Sequence, residues 1–524
     1  MKEKLRIAQE CWAKMAAYRQ ERERCKRYTY GRQWDDPVTI DGETMSEAEY
    51  IRRQGSVPLK NNLIRRLVRN VIGVYRSQAE QHRCVARDPD EQPLADVMTN
   101  VLQCNMQLNR MDEVYARTLE ELLIGGLVAH RKSFGWRNDR VDCWTDYVSP
   151  TAFFVDSDMH DFRGWDAQYV GELHDLSFGE LCARFAHTTA DYKRLRDIYA
   201  EAADNDSLAA TWHDFGGQGD FPASFFLPSR QGACRVVELW YKDRRPRLRC
   251  HDRRNGNAYK TELGDLAAIE AENAVRKKNG DPEITTEWFI DNLWRYALLS
   301  PTGHVIEEGE TPYAHHSHPY VFLAYPFIDG EVHSFVSDVI DQQRYVNRLI
   351  TLQDWMIRSS AKGVLLFPEE CLPEYASAQD IADEWARYNG VIFLKTKNNT
   401  VMPQQVNAST ANTGIAELLN MQLGFFEDIS GVSDALQGKV AFAGTSAQLY
   451  NQQTQNAKLS LLDMLDSFRN FTTEAAYKDL KNIVQYYDEP RVFNIAGHQP
   501  DTLRRIIYDP LRMRDVEMDL RVES

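Results

Sequence analysis

The sequence predicts an α+β fold that is mainly helical and contains several long helices. Near the N-terminus, apolar residues recur at helical spacing, at Leu5, Ala8, Trp12 and Met15. Between about residues 133 and 330, aromatic and β-branched residues alternate with polar ones, which indicates strands. Residues 446–487 have the pattern of one helix, several times longer than the average of about 11–12 residues. Such a helix needs neighbours along its length, which favours an oligomer or an elongated subunit.

The composition is that of a globular protein. The chain has 524 residues, 43% of them hydrophobic and 27% charged, so two or three packed regions are expected. Apolar runs are shorter than about 18 residues and the N-terminus is charged, so we expect no membrane span, no signal peptide and a chain that stays in the cytosol where it is made. The nine scattered cysteines lack a CxxC or metal-ligand spacing, which suits reduced thiols with a packing role.

The formal net charge of −15 bears on nucleic acid. Affinity for DNA comes mainly from cationic groups that displace counterions from phosphates. The charge therefore argues against a protein that grips DNA. It does not exclude DNA as a passing cargo, since strong phosphate contacts would slow sliding.

The N-terminal half begins with helices and continues into the sheet region. The first helix covers residues 3–27 and ends in YTYGRQWDDP, and the second follows Asn61 and Asn62, which can cap it. Two further helices lie near 92–109 and 112–129, and the latter ends at Gly125 and Gly126 or shortly beyond. Within the sheet region, Asn255-Gly256 predicts a two-residue hairpin turn, and helices are expected near 175–205 and 263–278.

The C-terminal half is a series of helices interrupted by one small unit. Residues 334–361 form a helix of roughly 40 Å. The small unit follows, with a VLLF strand, a helix from Ala378 to Tyr388 and a GVIFLKT strand. It is too small to hold its own core, so it is expected to pack against copies of itself. A helix from about Asn412 to Ile429 then leads through a glycine-bearing loop into the long helix.

Two motifs suggest ligands but fit them poorly. The stretch from Gly431 through Gly438 to Lys439 resembles a phosphate-binding loop, but it has six residues between the glycines instead of four, and Val440 replaces the magnesium-binding hydroxyl. His315, His316 and His318 could hold a metal, yet no Cys or carboxylate nearby in sequence completes the set. We interpret the histidines as part of a loop before a strand that begins at Tyr320.

Two charged patterns leave alternatives open. Asp156 and Asp158 form a DxD that would suit a two-metal nuclease, although two turn carboxylates after FFV explain the pair as well. Arg245, Arg247 and Arg249 would share one side of a strand. They could contact DNA or an acidic partner, or they could belong to a solvated hairpin or a salt-bridge face between subunits.

Several segments together resemble the portal proteins of tailed double-stranded DNA bacteriophages. They are YGRQW, PLKNNLIRRLVRNVIGVYRSQ, VSPTAFFVD, YPFIDGEVHSFVSDVIDQQRYVNRLITLQDWM and ALQGKVAFAGTSAQLYNQQ, spread over about residues 28–487. The most specific features are DVIDQQRYVN and the order of helix, small α/β unit, helix, glycine-bearing loop and long helix. The resemblance implies a structural subunit of the head–tail connector, with no enzymatic activity, metal or cofactor.

The resemblance also implies how the chain is divided. The wing would be residues 1–333, joined by a long helix and wing return at 446–495. The stem helices would be 334–361 and 410–432, with the clip at 362–409 and the tunnel loop at 433–445. The C-terminal segment 496–524 would be a reduced or absent crown, since only about 30 residues follow Pro490.

Site residues follow from the same resemblance. The DNA-facing tunnel loop would present Ser433, Gln437, Lys439 and Thr445. The stem would use Asp341, Gln342 and Asn347. Partners would bind the clip at Glu369, Glu370, Glu374, Asp383 and Glu384, and the three arginines of the hairpin would be a possible DNA or partner contact.

The implied assembly is a ring of about twelve subunits at one capsid vertex of the virion, assembled in the host cytoplasm. Its partners would be double-stranded DNA passing through the channel, the terminase large subunit, head–tail adaptor or tail proteins, the major capsid protein and the scaffold. No membrane is involved. The alternatives are a metal-dependent nuclease and a different ring-forming head–tail adaptor component.

Overall fold

A computed structural model describes residues 2–77, 81–200, 224–362, 364–373, 377–386, 402–406, 414–432, 447–496 and 503–523. Within these ranges, residues 138, 157, 231 and 515 are not described, whereas the isolated residues 392 and 394 are. Helices and strands both contribute extensively. The predicted α+β class agrees with this content.

Helices occur in both halves of the chain. They are α1 Lys2–Lys14, α2 Ala16–Thr29, α3 Glu47–Arg53, α4 Leu63–Arg76, α5 Gln92–Leu108, α6 Met111–Gly125, α7 Phe178–Phe185, α8 Thr189–Ile198, α9 Leu266–Asn279, α10 Ser337–Lys362, α11 Ala378–Ala386, α12 Ile415–Ser430, α13 Ala447–Tyr486 and α14 Pro510–Met513. The expected single helix at 3–27 is therefore two helices that meet at Met15. As predicted, α6 ends at a glycine pair, where Gly126 adopts φ +75°.

Strands lie mainly between residues 127 and 332. They are β1 Pro37–Ile40, β2 Glu43–Ser46, β3 Gln81–Ala86, β4 Leu127–Arg137, β5 Arg140–Val148, β6 Phe153–Val155, β7 Tyr169–Leu176, β8 Cys234–Asp252, β9 Asn257–Glu262, β10 Ile284–Leu299, β11 Val305–Glu310, β12 Tyr320–Ala324, β13 Phe327–Ile328, β14 Glu331–Val332, β15 Val364–Leu366, β16 Gln404–Val406, β17 Arg491–Ala496, β18 Leu503–Tyr508 and β19 Met518–Glu523. The largest sheet has the order β11-β10-β8-β7-β6, with β9 beside β8, and a second sheet has the order β12-β4-β5.

The predicted hairpin at Asn255-Gly256 exists, but its loop is longer than expected. The β8–β9 ladder ends at the pair Asp252 and Asn257, so four residues form the loop instead of two. Gly256 has a φ of +71°, which favours glycine. The side chain of Asp252 accepts a hydrogen bond from the backbone N–H of Arg254 at 2.9 Å. That bond gives the Arg254 N–H an acceptor within the four-residue loop. The Asn255-Gly256 dipeptide alone does not reveal this bond.

The small unit between α10 and α12 differs from its prediction in one strand. The VLLF strand is present as β15, and the helix α11 follows, but the partner of β15 is β16 at Gln404–Val406. Most of GVIFLKT lies outside the described residues, and its described Ile392 and Leu394 are not in a strand. A short apolar run has strand propensity without specifying a partner, because pairing is decided by backbone hydrogen bonds and register.

The chain divides into two compact units. Unit 1 contains Met1–Lys26, Val68–Ser337 and Asp434–Ser524, and unit 2 contains Arg27–Leu67 and Asp338–Ser433. In unit 1, the described C-terminal residues form β18, α14 and β19, and β19 pairs with β3. Buried Tyr508, Met513 and Met518 belong to the same core as Cys84 and Leu480.

The cysteines fit the packing role expected for them. All nine are free, and seven of them are buried. Burial raises the pKa of the Cys11 and Cys25 thiols to about 12, so these groups are protonated at neutral pH. None of the helices in the described part of the chain combines the length and apolar character that a membrane span requires.

A buried ion pair joins the long helix to the sheets of unit 1. Helix α13 packs on β12, β4 and β5. Lys132 on β4 is fully buried, and its Nζ lies 2.5 Å from Oδ2 of Asp479 on α13 and 2.7 Å from the hydroxyl of Thr145. Burial raises the pKa of Asp479, although Lys132 opposes this shift. A buried carboxylate is stable here because a cation faces it directly.

We predict that Lys132→Met lowers the free energy of unfolding by about 3–5 kcal/mol, because Asp479 would be left as an uncompensated buried charge. Adding Asp479→Leu should recover most of the loss. Lys4→Met, which removes the partly exposed pair with Glu308, should cost less than about 1 kcal/mol. Thermal and urea unfolding of the variants measure this, and equal effects of Lys132→Met and Lys4→Met would contradict it.

Candidate functional site

The most specific motif, DVIDQQRYVN, lies on α10 in unit 2, and its amides anchor a neighbouring segment. Gln343 is fully buried. Its Oε1 accepts hydrogen bonds from the backbone N–H groups of Leu63 and Ile64, at 2.9 and 3.3 Å, and its Nε2 donates to the carbonyl of Asn61 at 2.7 Å. Leu63 and Ile64 start α4, whose first N–H groups have no partner within the helix. Gln343 therefore caps α4 from another helix.

Asn347 lies one turn after Gln343 and extends the same anchor. Its Oδ1 accepts from the N–H of Asn61 at 3.0 Å, and its Nδ2 donates to Gln33 Oε1 at 2.7 Å. One further turn along, the hydroxyl of Thr351 accepts from the N–H of Leu59 at 3.1 Å. The spacing of four residues places all three side chains on one face of α10. We call the two amides Gln343 and Asn347, together with the hydroxyl of Thr351, the amide anchor.

Residues 34–65 of unit 2 make further bonds, both among themselves and to α10. As the sequence predicted, Asn62 caps α4, accepting from the N–H of Arg65 at 3.0 Å. Trp34 donates through Nε1 to the carbonyl of Leu59 at 3.1 Å. The buried Glu47 accepts from Arg348, with Nε at 2.9 Å, and lies 3.5 Å from Arg344. Two cations of α10 thus compensate one buried carboxylate at the start of α3.

The three residues predicted for the stem have different surroundings. Asn347 belongs to the anchor, whereas Asp341 is exposed and Gln342 is half-buried. The residue that sequence reasoning missed is Gln343. The spacing of Gln343 and Asn347 was visible in the sequence, because two amides four residues apart share a helix face. Their functional role stays a prediction.

The predicted partner-binding residues of the small unit are mostly accessible where they are described. Glu369 and Asp383 are exposed, and Glu384 is half-buried. Glu370 lies in a short 3-10 helix, Glu369–Cys371, and Glu374 lies outside the described residues. Ser377, just before helix α11, accepts from the N–H of Asp380 at 3.2 Å. These side chains can meet a partner, and no described contact tests whether they do.

The loop expected to face DNA, with Ser433, Gln437, Lys439 and Thr445, lies outside the described residues. Its flanks are defined. Helix α12 ends at Ser430 and is followed by Gly431, with φ +65°, and α13 begins at Ala447. The sequence prediction that a helix, not a strand, precedes Gly431 is confirmed. A phosphate-binding loop instead follows a strand.

The three arginines on β8 all have carboxylates beside them in unit 1. The nearest carboxylate oxygens are those of Asp243 at 2.8 Å from Arg245, Glu310 at 3.1 Å from Arg247, and Glu287 at 3.5 Å from Arg249. Arg249 also lies over the ring of Phe289, 4.9 Å from its centroid. These pairs form within the chain, so they do not test the salt-bridge face between subunits considered above. Contact with DNA stays a prediction.

Comparison with known proteins decides the family. The family description "Phage P22-like portal protein" matches residues 5–502 of the 524. The chain belongs to the P22-like phage portal protein family. No curated protein matches it. Portal proteins are structural components of the phage head–tail connector without enzymatic activity, so the resemblance found in the sequence is confirmed.

In this portal family member, the DxD pair has a structural explanation. Asp156 is buried, and its two carboxylate oxygens accept from the backbone N–H groups of Asp158 and Gln168, both at 3.1 Å. Asp158 is exposed and lies 3.3 Å from Lys14 Nζ. The geometry is that of turn carboxylates. It gives no support to two-metal chemistry.

The histidines also have a structural explanation. They precede β12, which begins at Tyr320 as expected. His315 stacks on Tyr313, with ring centroids 5.0 Å apart, and His318 packs edge-on against Trp294 at 4.7 Å. Burial and the nearby charge of Lys478 lower the pKa of His315 to about 3 and that of His318 well below its usual value. Both rings are neutral packing groups at neutral pH.

Among the described residues, one group has ligand atoms close enough for a metal, and the sequence did not reveal it. It consists of Glu172 and His174 on β7 and Glu238 on β8. His174 Nε2 lies 2.7 Å from Glu238, and Arg131 lies 2.9 Å from Glu172. Burial raises the pKa of Glu172; it acts likewise on Glu238, but the bond with His174 and the charge of Arg131 bring that pKa down to about 2. A guanidinium already balances these carboxylates, so the group is an ion-pair network.

We predict that Gln343→Ala destabilises unit 2 by about 1–3 kcal/mol, because the Ile64 N–H loses its acceptor and the Leu63 N–H keeps only its bond to the Asn61 carbonyl at 3.0 Å. Hydrogen exchange measured by mass spectrometry should show faster exchange at Leu63 and Ile64. Gln342→Ala is the matched control on the same helix and should change both quantities little. Equal exchange at α4 in the two variants would show that the anchor is dispensable.

Proposed function

We propose that this protein is the subunit of a ring at one vertex of a phage capsid, and that double-stranded DNA enters and leaves through the ring. The observation that carries this proposal is the family match over nearly the whole chain. The acidic charge supports it. About twelve copies at −15 each would give a ring near −180, and such a wall repels phosphate over a Debye length of about 8–10 Å. A channel of this kind guides DNA without holding it.

Within this ring, we assign α10 and α12 to the stem and the small unit between them to the clip. Apart from Ser337, both helices and the small unit belong to unit 2, which supports treating 338–432 as one structural part. Residues 27–67 belong to unit 2 as well and are held by the amide anchor. We therefore add them, with the β1–β2 pair, to the stem rather than to the wing, and the wing keeps the two larger sheets and α13.

The tunnel loop 433–445 would connect the second stem helix to the long helix of the wing. Its Lys439 would be one cation per subunit beside DNA, able to touch the phosphate backbone weakly. Ser433, Gln437 and Thr445 would offer uncharged polar contacts. The loop's flanks at α12 and α13 fit this placement.

The clip would dock other proteins of the particle. Its Glu369 and Asp383 are exposed and its Glu384 is half-buried, and acidic side chains of this kind are suited to basic patches of a partner. The terminase large subunit would bind there during packaging, and a head–tail adaptor or tail protein afterwards. The wing would face the major capsid protein and the scaffold, and the arginines of β8 are candidates for those contacts or for DNA.

We predict that the purified full chain forms rings with a central hole wide enough for duplex DNA. Negative-stain electron microscopy and native mass spectrometry give the hole and the subunit number. Incubation with DNA and Mg²⁺ or Mn²⁺ should leave the DNA intact. A protein that is strictly monomeric at micromolar concentration, even with scaffold protein added, would contradict the proposal.

We also predict that Glu369→Gln with Asp383→Asn weakens binding of the terminase large subunit by about ten-fold or more, since two acidic contacts are lost. Biolayer interferometry at two salt concentrations measures this. The control is Asp90→Asn with Glu113→Gln, which removes two exposed charges from unit 1. If both double variants bind like the unmodified chain, the clip's acidic surface is not the docking site.

A further inference from the structure

Strand β10 of unit 1 is an edge strand over the first part of its length. Its ladder with β8 runs without a bulge from Ile284 to Leu299, whereas β11 pairs with it only from Arg295 onward. Along an antiparallel strand, successive residues direct their backbone N–H and C=O groups alternately to the two sides. Every second residue of the unpaired part therefore directs these groups away from β8.

Both ends of the unpaired part already have partners. At one end, Asn273 of α9 accepts a hydrogen bond from the Ile284 N–H at 2.7 Å and donates to the Ile284 carbonyl at 2.9 Å, which are the bonds that a neighbouring strand would make. At the other end, the carbonyl of Trp294 accepts from the N–H of Thr311 at 2.9 Å. The even-numbered residues of β10 are thus the ones whose backbone groups point away from β8.

Four residues between these ends have open backbone groups. Thr286, Trp288, Ile290 and Asn292 share the orientation of Ile284, and all four are exposed. In the described part of the chain, nothing forms a hydrogen bond with their N–H or C=O groups. Proteins often protect such an edge with lysine, proline or a bulge, and this stretch contains none of the three. We call these four residues the open edge.

The side chains beside the open edge differ between the two faces of the sheet. On one face, Trp288 and Ile290 are apolar and are 58% and 55% exposed. On the other face, the charged residues of the unpaired part of β10 are Glu287 and Asp291, both of them acidic. Each has a cation beside it on β8 or β9, on the side away from the open edge. A cation on an added strand would approach these carboxylates from the unoccupied side.

We propose that the open edge binds an extended segment of a partner protein, which adds to the sheet as a further antiparallel strand. The pairings that the structure describes in this sheet are all antiparallel. Main-chain hydrogen bonds would hold the segment, and side chains at alternate positions would select it. The residues that bond to β10 would be apolar, because they stand opposite Trp288 and Ile290. The residues between them would be basic, because they stand beside Glu287 and Asp291.

A second copy of β10 is an unfavourable occupant of the same edge. The antiparallel register that pairs all four open residues sets Glu287 opposite Asp291 twice, and like charges directly opposite each other destabilise a strand pair. A two-fold pairing of this kind would also stop at a dimer and does not build a ring. The inference concerns the single chain and does not depend on the proposed ring.

Two matched peptides test the orientation of the backbone groups. Each is a fluorescent nine-residue peptide in which valine and lysine alternate, and the two differ only in which central residues carry an N-methyl group. Methylation at lysine leaves the valine N–H groups free to bond to β10, whereas methylation at valine removes them. The peptide methylated at lysine should bind the full chain about ten-fold more tightly or better in fluorescence anisotropy, although both peptides have the same charge. Equal binding, or no binding by either peptide, would overturn the proposal.

A proline in the open edge tests the same bonds from the side of the chain. Ile290→Pro removes an N–H that points away from β8, so the ladder with β8 keeps its bonds, and proline is compatible with an edge position of this kind. Binding of the peptide methylated at lysine should weaken about ten-fold or more. Ile290→Thr keeps the N–H and a branched side chain and is the matched control, and equal binding by the two variants would contradict the proposal. Circular dichroism and thermal unfolding verify that both variants fold; the peptide pair decides alone if Ile290→Pro does not.

Two further outcomes define the partner. A peptide with glutamate in place of lysine should bind about ten-fold more weakly or worse, and equal binding would overturn the basic character assigned to the segment. If the lysine peptide binds the monomeric chain but not assembled rings, a second copy covers the edge and the proposal of a separate partner fails. Failure of the unmodified chain to form rings would instead contradict the proposed function and would leave this inference standing.

Discussion

The N-terminus of α4 presents backbone N–H groups that need acceptors, and side chains of unit 2 supply them. Asn62 caps one of these groups locally, and Gln343 reaches the first two from α10. An unsatisfied buried N–H costs about 1–3 kcal/mol. The bonds of Gln343 and Asn347 therefore set the position of the 59–64 segment along α10. Tyr345 and Leu352 lie on α10 away from Gln343 and Asn347, and both are partly exposed.

Unit 1 depends on buried charges that are compensated in place. Lys132 faces Asp479, and Arg131 lies between Glu172 and Asp146 at 2.9 and 3.4 Å. Pairs of this kind contribute little to net stability compared with an apolar core, but removing one partner is costly. The Lys132–Asp479 pair thereby fixes the position of the long helix α13 along β4. The same principle accounts for the arginines of β8, each of which has a carboxylate nearby.

The sites that suggested catalysis have structural roles in this chain. Asp156 organises a turn, His315 and His318 are neutral packing groups, and the Glu172, His174 and Glu238 group is balanced by Arg131. A head–tail connector subunit requires surfaces that bind other molecules rather than a catalytic site. The surfaces with a physical rationale are the open edge of β10 in unit 1 and, in unit 2, the acidic clip residues and the exposed apolar residues of α10 and α12.

Local periodicity in the sequence determined which segments are helical. It predicted α4, α5, α12 and α13 closely, because a helix face that packs repeats every three to four residues whatever it packs against. The order of these elements, with DVIDQQRYVN, also indicated the family. Tertiary structure decided what depends on partners distant in sequence. It broke the first helix at Met15, paired β15 with β16, and selected Gln343 instead of Gln342, because burial and backbone hydrogen bonding arise only when distant segments meet.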